Sequence, residues 1–193
     1  MLPMRAAPLI LLVAACYRSP VDATSLANRS ESKEPPGLTM TAHGVGPIDA
    51  STQATLMALR TMLAGYEVKP VIDGSLQYDI YRNGERLAYV VPDDNTGLVF
   101  NIHAVSSRVE IVGHPWRVGR AFHGASHLTE CECWGPNPTC FAAGEHIAVN
   151  FDRDCEGLVG AERQGLKVLE GITIQRVIWS PSPLGEAYGE DRD

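Results

Sequence analysis

The feature that most constrains the fold is an alternation of apolar and polar residues in the middle of the chain. Leu76, Tyr78 and Ile80 alternate with polar neighbours, and residues 86–91 form a second predicted strand. Such alternation is typical of strands with one buried face. The two runs are separated by Asn83-Gly84, a pair that tolerates the positive φ angles of a type I′ turn. The sequence therefore predicts an antiparallel hairpin.

Further predicted strands extend this hairpin into a sheet. A turn over residues 92–97 precedes strands over 98–104 and 108–112, and later strands follow at 146–151 and 172–179. Four or five antiparallel strands in succession form a meander, which a helix can cover on one face. We therefore predict a single α+β domain with an antiparallel meander, one or two packed helices and disulfide bracing.

A helix is predicted over residues 51–64, before the sheet. Asp49 or Ser51 would cap its beginning and Gly65 would end it. Three leucines recur at the spacing of one helical face: Leu56, Leu59 and Leu63. This stripe predicts that the helix packs against the sheet through its leucines.

The beginning of the chain predicts its location. Arg5 precedes an apolar run over residues 9–13, as in a secretory signal, and the run is too short to span a membrane. It ends in Val13-Ala14-Ala15-Cys16, which resembles a bacterial lipobox and implies cleavage before Cys16 and lipid attachment to it. An ordinary secreted precursor is the alternative. Tyr17, in place of aspartate, favours the outer membrane, facing the periplasm.

Composition divides the chain into four parts. Residues 1–15 are the predicted signal, 16–38 a polar lipidated tether, 39–180 the domain and 181–193 an acidic disordered tail. The formal net charge of −7 argues against binding to nucleic acid, which demands a basic face. The lipid on Cys16 would then be the attachment to the membrane.

The remaining cysteines predict two disulfides. The chain has five cysteines, and if Cys16 carries lipid, four thiols remain in an oxidising compartment. Cys131 and Cys133 are separated by one residue, so a bridge between them would be strained. Two pairings stay open: Cys133 with Cys140 and Cys131 with Cys155, or the crossed arrangement.

The same cysteines offer a zinc site as an alternative. Cys131, Cys133 and Cys140 with His146 or Cys155 supply thiolate and imidazole ligands that zinc accepts. The spacing differs from the usual two-residue knuckle, and an oxidising compartment favours disulfides. We therefore predict no metal at these cysteines.

Two further groups could bind a metal. His123 and His127 stand at i and i+4, but Gly124 occupies the position of the general base in the zinc-protease pattern. The loop Asp152-Arg153-Asp154-Cys155-Glu156 resembles the first half of a calcium loop. Its twelfth position is Arg163 instead of a bidentate acid, which argues against calcium.

Short motifs resemble one known family. They lie at the beginning, middle and end of the domain: Gly44-Val45-Gly46 with Ala50-Ser51-Thr52, the Cys133–Cys140 region with Gly144-Glu145-His146-Ile147, and Ile174-Gln175-Arg176-Val177-Ile178-Trp179. The chain is similar there to the sigma-E-regulated bacterial lipoproteins of unknown function. The resemblance implies an α+β domain with a cysteine pair before a strand, and it makes Cys131 and Cys155 an added bridge. It carries no catalytic residues, and it implies an envelope-stress connection.

These observations favour a protein that is not an enzyme. The sequence has no Gly-x-Ser-x-Gly elbow and no phosphate loop. We predict a lipid-anchored envelope protein with a structural or binding role, no cofactor, and a protein or small-molecule partner that the sequence does not identify. The alternative is a metal-binding or hydrolytic envelope enzyme that uses His123, His127 and the loop of Asp152, Asp154 and Glu156.

Overall fold

The computed structural model describes residues 37–124, 127–133, 136–155 and 166–185. The predicted signal, Cys16 and nearly all of the predicted tether lie outside the described residues. The described part contains one α-helix, α1 (Leu56–Met62), and a 3₁₀ helix at Leu166–Leu169. Its strands, in chain order, are β1 (Thr39–Thr41), β2 (Gly44–Val45), β3 (Glu67–Asp73), β4 (Ser75–Arg82), β5 (Glu85–Pro92), β6 (Val99–Ala104), β7 (Glu110–Ile111), β8 (Glu130–Glu132), β9 (Thr139–Phe141), β10 (Ile147–Phe151) and β11 (Ile174–Trp179).

Eight strands form the main sheet, in the order β3-β4-β5-β6-β11-β10-β9-β8. All neighbouring pairs are antiparallel. The predicted hairpin is present, with Arg82 opposite Glu85 and the turn residues Asn83 and Gly84 at φ angles of 52° and 78°. The predicted α+β class with a mainly antiparallel sheet is therefore confirmed.

The helix is shorter than predicted. It begins after Thr55, whose hydroxyl accepts the backbone N–H of Ala58 at 3.3 Å, and not at Asp49 or Ser51. The preceding residues pair with the turn before β6, because Ala54 N–H donates to the carbonyl of Gly97. A backbone held in that extended pairing cannot join a helix.

The packing face of α1 is the predicted one. Leu59 and Leu63 are buried and Leu56 is half-buried against the same core. The leucine stripe therefore predicts the buried face of the helix correctly, whereas the predicted first residue of the helix is wrong.

The predicted strand over 108–112 does not continue the meander. A turn at Ser106, whose carbonyl accepts the N–H of Val109, directs the chain away from the sheet. β7 then pairs in parallel with β1, which also pairs with β2, in a separate three-stranded sheet. The position next to β6 is taken by β11, which returns from the end of the domain.

Aromatic residues fill the core of the cysteine-containing half. Trp116, Phe122 and Phe151 are buried, and the ring of Phe122 meets that of Phe151 edge-on at 5.0 Å between centroids. Trp179 is also buried, and its indole N–H donates to the carbonyl of Ala42 at 3.1 Å. That bond links the small sheet to the main one. In the part of the chain that the structure describes, no helix is both long and apolar enough to cross a membrane.

The four domain cysteines form two disulfides in the crossed arrangement, Cys131–Cys140 and Cys133–Cys155. The pairing of Cys133 with Cys140 and Cys131 with Cys155 is wrong. Strand register explains the difference, because Cys131 lies directly opposite Cys140 in the β8–β9 pair. The second bridge follows from the loop, where Cys155 N–H donates to the carbonyl of Pro136.

The two edges of the main sheet differ in chemistry. β3 is one edge and contains the exposed Pro70, and β8 is the other, with Glu130 and Glu132 in its sequence. Beyond β11, Leu184 exchanges backbone hydrogen bonds with Gly144 and Glu145. The chain therefore stays on the domain through part of the segment predicted as a tail, and residues 186–193 lie outside the described part.

Candidate ligand-binding site

The predicted metal ligands do not form a site in the described residues. Cys131, Cys133, Cys140 and Cys155 are all in disulfides, so their sulfur atoms are not thiolates that zinc could bind. His146 is turned to the backbone, with Nδ1 2.9 Å from the carbonyl oxygen of Ser180. Within the described residues no three His, Cys, Asp or Glu side chains converge on a common point.

His123 and His127 are not brought together by a helix. Gly124 lies between them at a φ of 107°, a conformation that breaks helical spacing. His123 instead lies beside Glu170, at 3.3 Å from Nδ1 to the carboxylate, and both side chains are exposed. Asp152 and Asp154 are exposed as well, and Glu156 lies outside the described residues.

A different group of polar side chains occupies the face of the main sheet opposite α1. Tyr78 and Ile80 of β4 point into the core, so the alternation of the strand directs Gln77, Asp79 and Tyr81 to the other face. Asp79 is 3% exposed. A charged residue so deeply buried requires partners, and these come from its own strand and from the next one.

Arg86 is the main partner of Asp79. One Nη of its guanidinium lies 2.6 Å from the Asp79 carboxylate. Gln77 and Tyr81 also donate to that carboxylate, each at 3.1 Å. A shift of register between Ile80 and Tyr81 places Arg86 on this face, because a bulge puts two residues of one strand opposite one of its neighbour.

The bulge also brings Arg86 next to Tyr89, three residues further along β5. The guanidinium carbon lies over the Tyr89 ring at 4.7 Å from its centroid. On β6, His103 stands opposite Tyr89, and the two rings stack at 4.4 Å between centroids with an angle of 7° between their planes. His103 Nε2 is 2.8 Å from the amide oxygen of Asn101.

His103 is neutral at ordinary pH. Burial, together with the positive charges of Arg176 and Arg86, lowers its pKa to about 3. Two guanidinium groups are therefore close enough to act on one imidazole. With Nε2 donating to the oxygen of Asn101, Nδ1 carries the lone pair, and this buried atom has no hydrogen-bond partner among the described residues.

Arg176, on β11, completes the group. Its Nε donates to the amide oxygen of Asn150 at 3.0 Å and one Nη donates to the hydroxyl of Tyr89 at 2.8 Å. Asn150 is itself held by its amide N–H groups, which donate to the carbonyl of Pro138 and the hydroxyl of Thr139. The guanidinium of Arg176 is therefore fixed between β10 and β5.

We call these residues the polar cluster: Asp79, Arg86, Tyr89, Asn101, His103, Asn150 and Arg176. The cluster crosses the junction of β6 and β11, where the two parts of the main sheet meet. Its side chains are joined by hydrogen bonds and include two arginines and one aspartate, a composition that suits recognition of a polar or anionic group. Sequence reasoning did not find it, although the alternation of Gln77, Asp79 and Tyr81 carried part of the signal.

An open depression beside α1 is a weaker candidate. It has a volume of about 440 Å³ and is lined by Leu56, Met57, Arg60 and Thr61. Its lining is largely apolar and contains one charged residue, Arg60, whose guanidinium donates to the carbonyl of Val68. Its chemistry identifies no ligand.

Comparison with known proteins supplies a fold and no activity. No family model matches the chain, and no curated protein matches it in sequence. Its structure is similar to the crystal structure of the uncharacterized protein YfeY from Escherichia coli, with a TM-score of 0.52 and 17% sequence identity. The match covers 74% of this chain and 99% of the YfeY chain. At this identity the similarity establishes a shared fold alone.

Proposed function

We propose that this protein is a non-enzymatic, lipid-anchored protein of the bacterial cell envelope that binds its partner through the polar cluster. The observation that carries the proposal is the pair of disulfides, Cys131–Cys140 and Cys133–Cys155. Disulfides persist in oxidising compartments such as the periplasm and are rare in the cytosol. They use all the cysteines of the domain and leave Cys16 for lipid.

The proposed location is the periplasmic face of the outer membrane. Its supports are the lipobox-like Val13-Ala14-Ala15-Cys16 and the tyrosine that follows it. The resemblance to sigma-E-regulated lipoproteins adds a role in envelope stress to the proposal.

A binding role fits the contacts of the polar cluster better than catalysis. The carboxylate of Asp79 is occupied by Arg86 and its neighbours, and His103 contacts Asn101 and Tyr89. A nucleophilic mechanism needs a hydroxyl or thiol activated by an adjacent base. Among the described residues, His103 hydrogen-bonds Asn101 and no hydroxyl or thiol, and the Tyr89 hydroxyl bonds Arg176 instead.

The anchor is tested by Cys16→Ser in the full chain, expressed with its own signal in a bacterium. The variant should leave the detergent phase and the membrane fraction, or accumulate as uncleaved precursor, because acyl chains would supply the binding free energy. Detergent-phase partitioning measures this.

The matched control is Ser19→Ala, which changes a residue near Cys16 and leaves both the anchor and the disulfides. It should partition as the wild type does. If Cys16→Ser also partitions as the wild type, a lipid on Cys16 does not hold the protein on the membrane, and the proposal is wrong.

A further inference from the structure

We propose that the polar cluster binds an oxyanion, the phosphate or carboxylate group of a ligand, and that Arg176 is the residue that holds it. The inference specifies the ligand of the binding role proposed above and rests on it.

The cluster carries an excess of positive charge. Arg86 is neutralised by Asp79 at 2.6 Å. The hydrogen bonds of Arg176 to described residues go to two neutral groups, the amide of Asn150 and the hydroxyl of Tyr89. A half-buried guanidinium without a carboxylate is costly, and an anion from outside would supply the missing charge.

Arg176 also has hydrogen-bond donors to spare. A guanidinium has five N–H donors in a planar fork, and the structure uses two of them, one to Asn150 and one to Tyr89. Arginine forks match the two oxygens of a carboxylate or phosphate, so a bidentate contact suits the geometry. Arg86 adds an Nε without a partner in the described part of the chain.

The cluster is organised before any ligand arrives. The carboxamide of Asn150 is held on both sides, and it fixes Nε of Arg176. The Tyr89 hydroxyl that fixes Nη1 belongs to a ring stacked on His103 and covered by Arg86. A side chain that is already ordered loses little entropy on binding, which raises affinity.

His103 provides a reporter for an anion at this place. The two arginines lower the pKa of its imidazole in the free protein. An anion bound to Arg176 would offset part of that positive charge, so the pKa of His103 should rise on binding. Binding to a surface remote from the cluster would not move it.

The experiment titrates inorganic phosphate into the purified full chain in a non-ionic detergent, at constant ionic strength set with chloride. Calorimetry measures affinity, and nuclear magnetic resonance follows the His103 ring as pH is varied. We expect saturable binding and an upward shift of the His103 pKa. Arg176→Gln should weaken binding by about tenfold or more, since one charge-assisted bidentate contact is lost.

Two further variants separate a specific role of Arg176 from a general loss of charge or of the fold. Arg108→Gln removes an equal charge from an exposed residue paired with Glu85 outside the cluster, and it should bind phosphate as the wild type does. Tyr89→Phe keeps every charge but removes the hydroxyl that orients Arg176, and it should weaken binding several-fold. This second variant tests the proposal even if Arg176→Gln fails to fold.

A second arm identifies the source of the phosphate. Dihexanoyl phosphatidic acid presents the same group on a soluble lipid, so tighter binding than inorganic phosphate would indicate a lipid headgroup. Equal affinity would indicate a free phosphate. Fractionation tests the proposed lipid anchor and titration tests the proposed oxyanion site. Either proposal can therefore be wrong without the other.

Two results would overturn the inference. One is the absence of saturable binding of either probe up to about 10 mM, a concentration that covers weak sites. The other is an unchanged affinity in Arg176→Gln that is folded by its melting curve.

Discussion

The two halves of the main sheet are stabilised in different ways. On one side, β3 to β6 have six to eight residues each and are joined by short connections over a core that includes Leu59 and Ile80. On the other side, β8 and β9 have three residues each and β10 has five. The short-strand half contains both disulfides, and the long-strand half contains none.

The difference shows that covalent links can compensate for missing strand length. A strand of three residues forms few ladder hydrogen bonds and buries little surface, so pairing alone gives marginal stability. Cys131–Cys140 joins β8 directly to β9, and Cys133–Cys155 closes the loop that contains β9 and β10. The long strands do not need such links, because packing holds them.

The largest effect should come from reducing the disulfides. Chain-entropy arithmetic gives about 3 kcal/mol for a loop such as that between Cys133 and Cys155 and somewhat less for the shorter one. Reduction should therefore lower the melting temperature markedly, whereas a chelator should not. Amide exchange should rise first in β8 to β10, and mass spectrometry with alkylation after denaturation should find no free thiols before reduction.

Paired variants sharpen this test. Cys133→Ala with Cys155→Ala opens the longer loop, whose partners are 22 positions apart, and Cys131→Ala with Cys140→Ala opens the shorter, whose partners are nine positions apart. The first pair should lose more stability than the second. Four alkylated cysteines in envelope-purified protein that melts earlier in chelator would contradict the comparison and make zinc the better interpretation.

The long-strand half should respond to loss of packing instead. Leu59 has no exposed surface, so Leu59→Ala should cost about 2–5 kcal/mol in the free energy of unfolding measured with denaturant. Met57, on the same helix, is 81% exposed, and Met57→Ala should change stability by less than about 0.5 kcal/mol. Equal effects of the two substitutions would place the core elsewhere.

The smallest effect concerns His103, next to the junction of the halves. Its pKa is about 3 in the folded protein and 6.5 ordinarily, so below pH 6.5 the unfolded chain takes up a proton that the folded protein does not. The free energy of unfolding of the wild type should therefore fall by about 1–2 kcal/mol between pH 7 and pH 5 because of this group.

His103→Phe keeps a ring against Tyr89 without a titrating group, so its stability should depend less on pH over that range. Denaturant melts of both proteins at pH 7, 6 and 5 measure the difference. If the two curves run parallel, His103 is not held neutral by its surroundings.

Local chemistry made much of the fold predictable. Asn83-Gly84 is a strong local signal for a hairpin turn, and the leucine spacing of α1 identifies a buried face from the sequence alone. The limits of the helix depended on a distant contact, the bond of Ala54 to Gly97. The placement of β7 depended on which strand pairs with β6. That pairing is also a contact between residues far apart in the sequence.

The candidate site was less accessible to sequence reasoning. Asp79 could be assigned to the face opposite the core by alternation. Arg86 could not, because a period of two puts it on the opposite face from Tyr89 and only the bulge reverses this. Arg176 joins through the pairing of β11 with β6, whose paired residues are more than 70 positions apart in the chain. The disulfide pairing likewise required the β8–β9 register.

The chemistry of the two sheet edges affects whether neighbouring copies of the protein associate. An open strand edge can recruit a strand from another molecule and start aggregation. Pro70, in the middle of edge strand β3, has no N–H to offer such a strand. At the other edge, two copies of β8 would bring glutamates into opposition. Many copies held close together should therefore remain separate domains, because the sheet of one copy does not add strands from another.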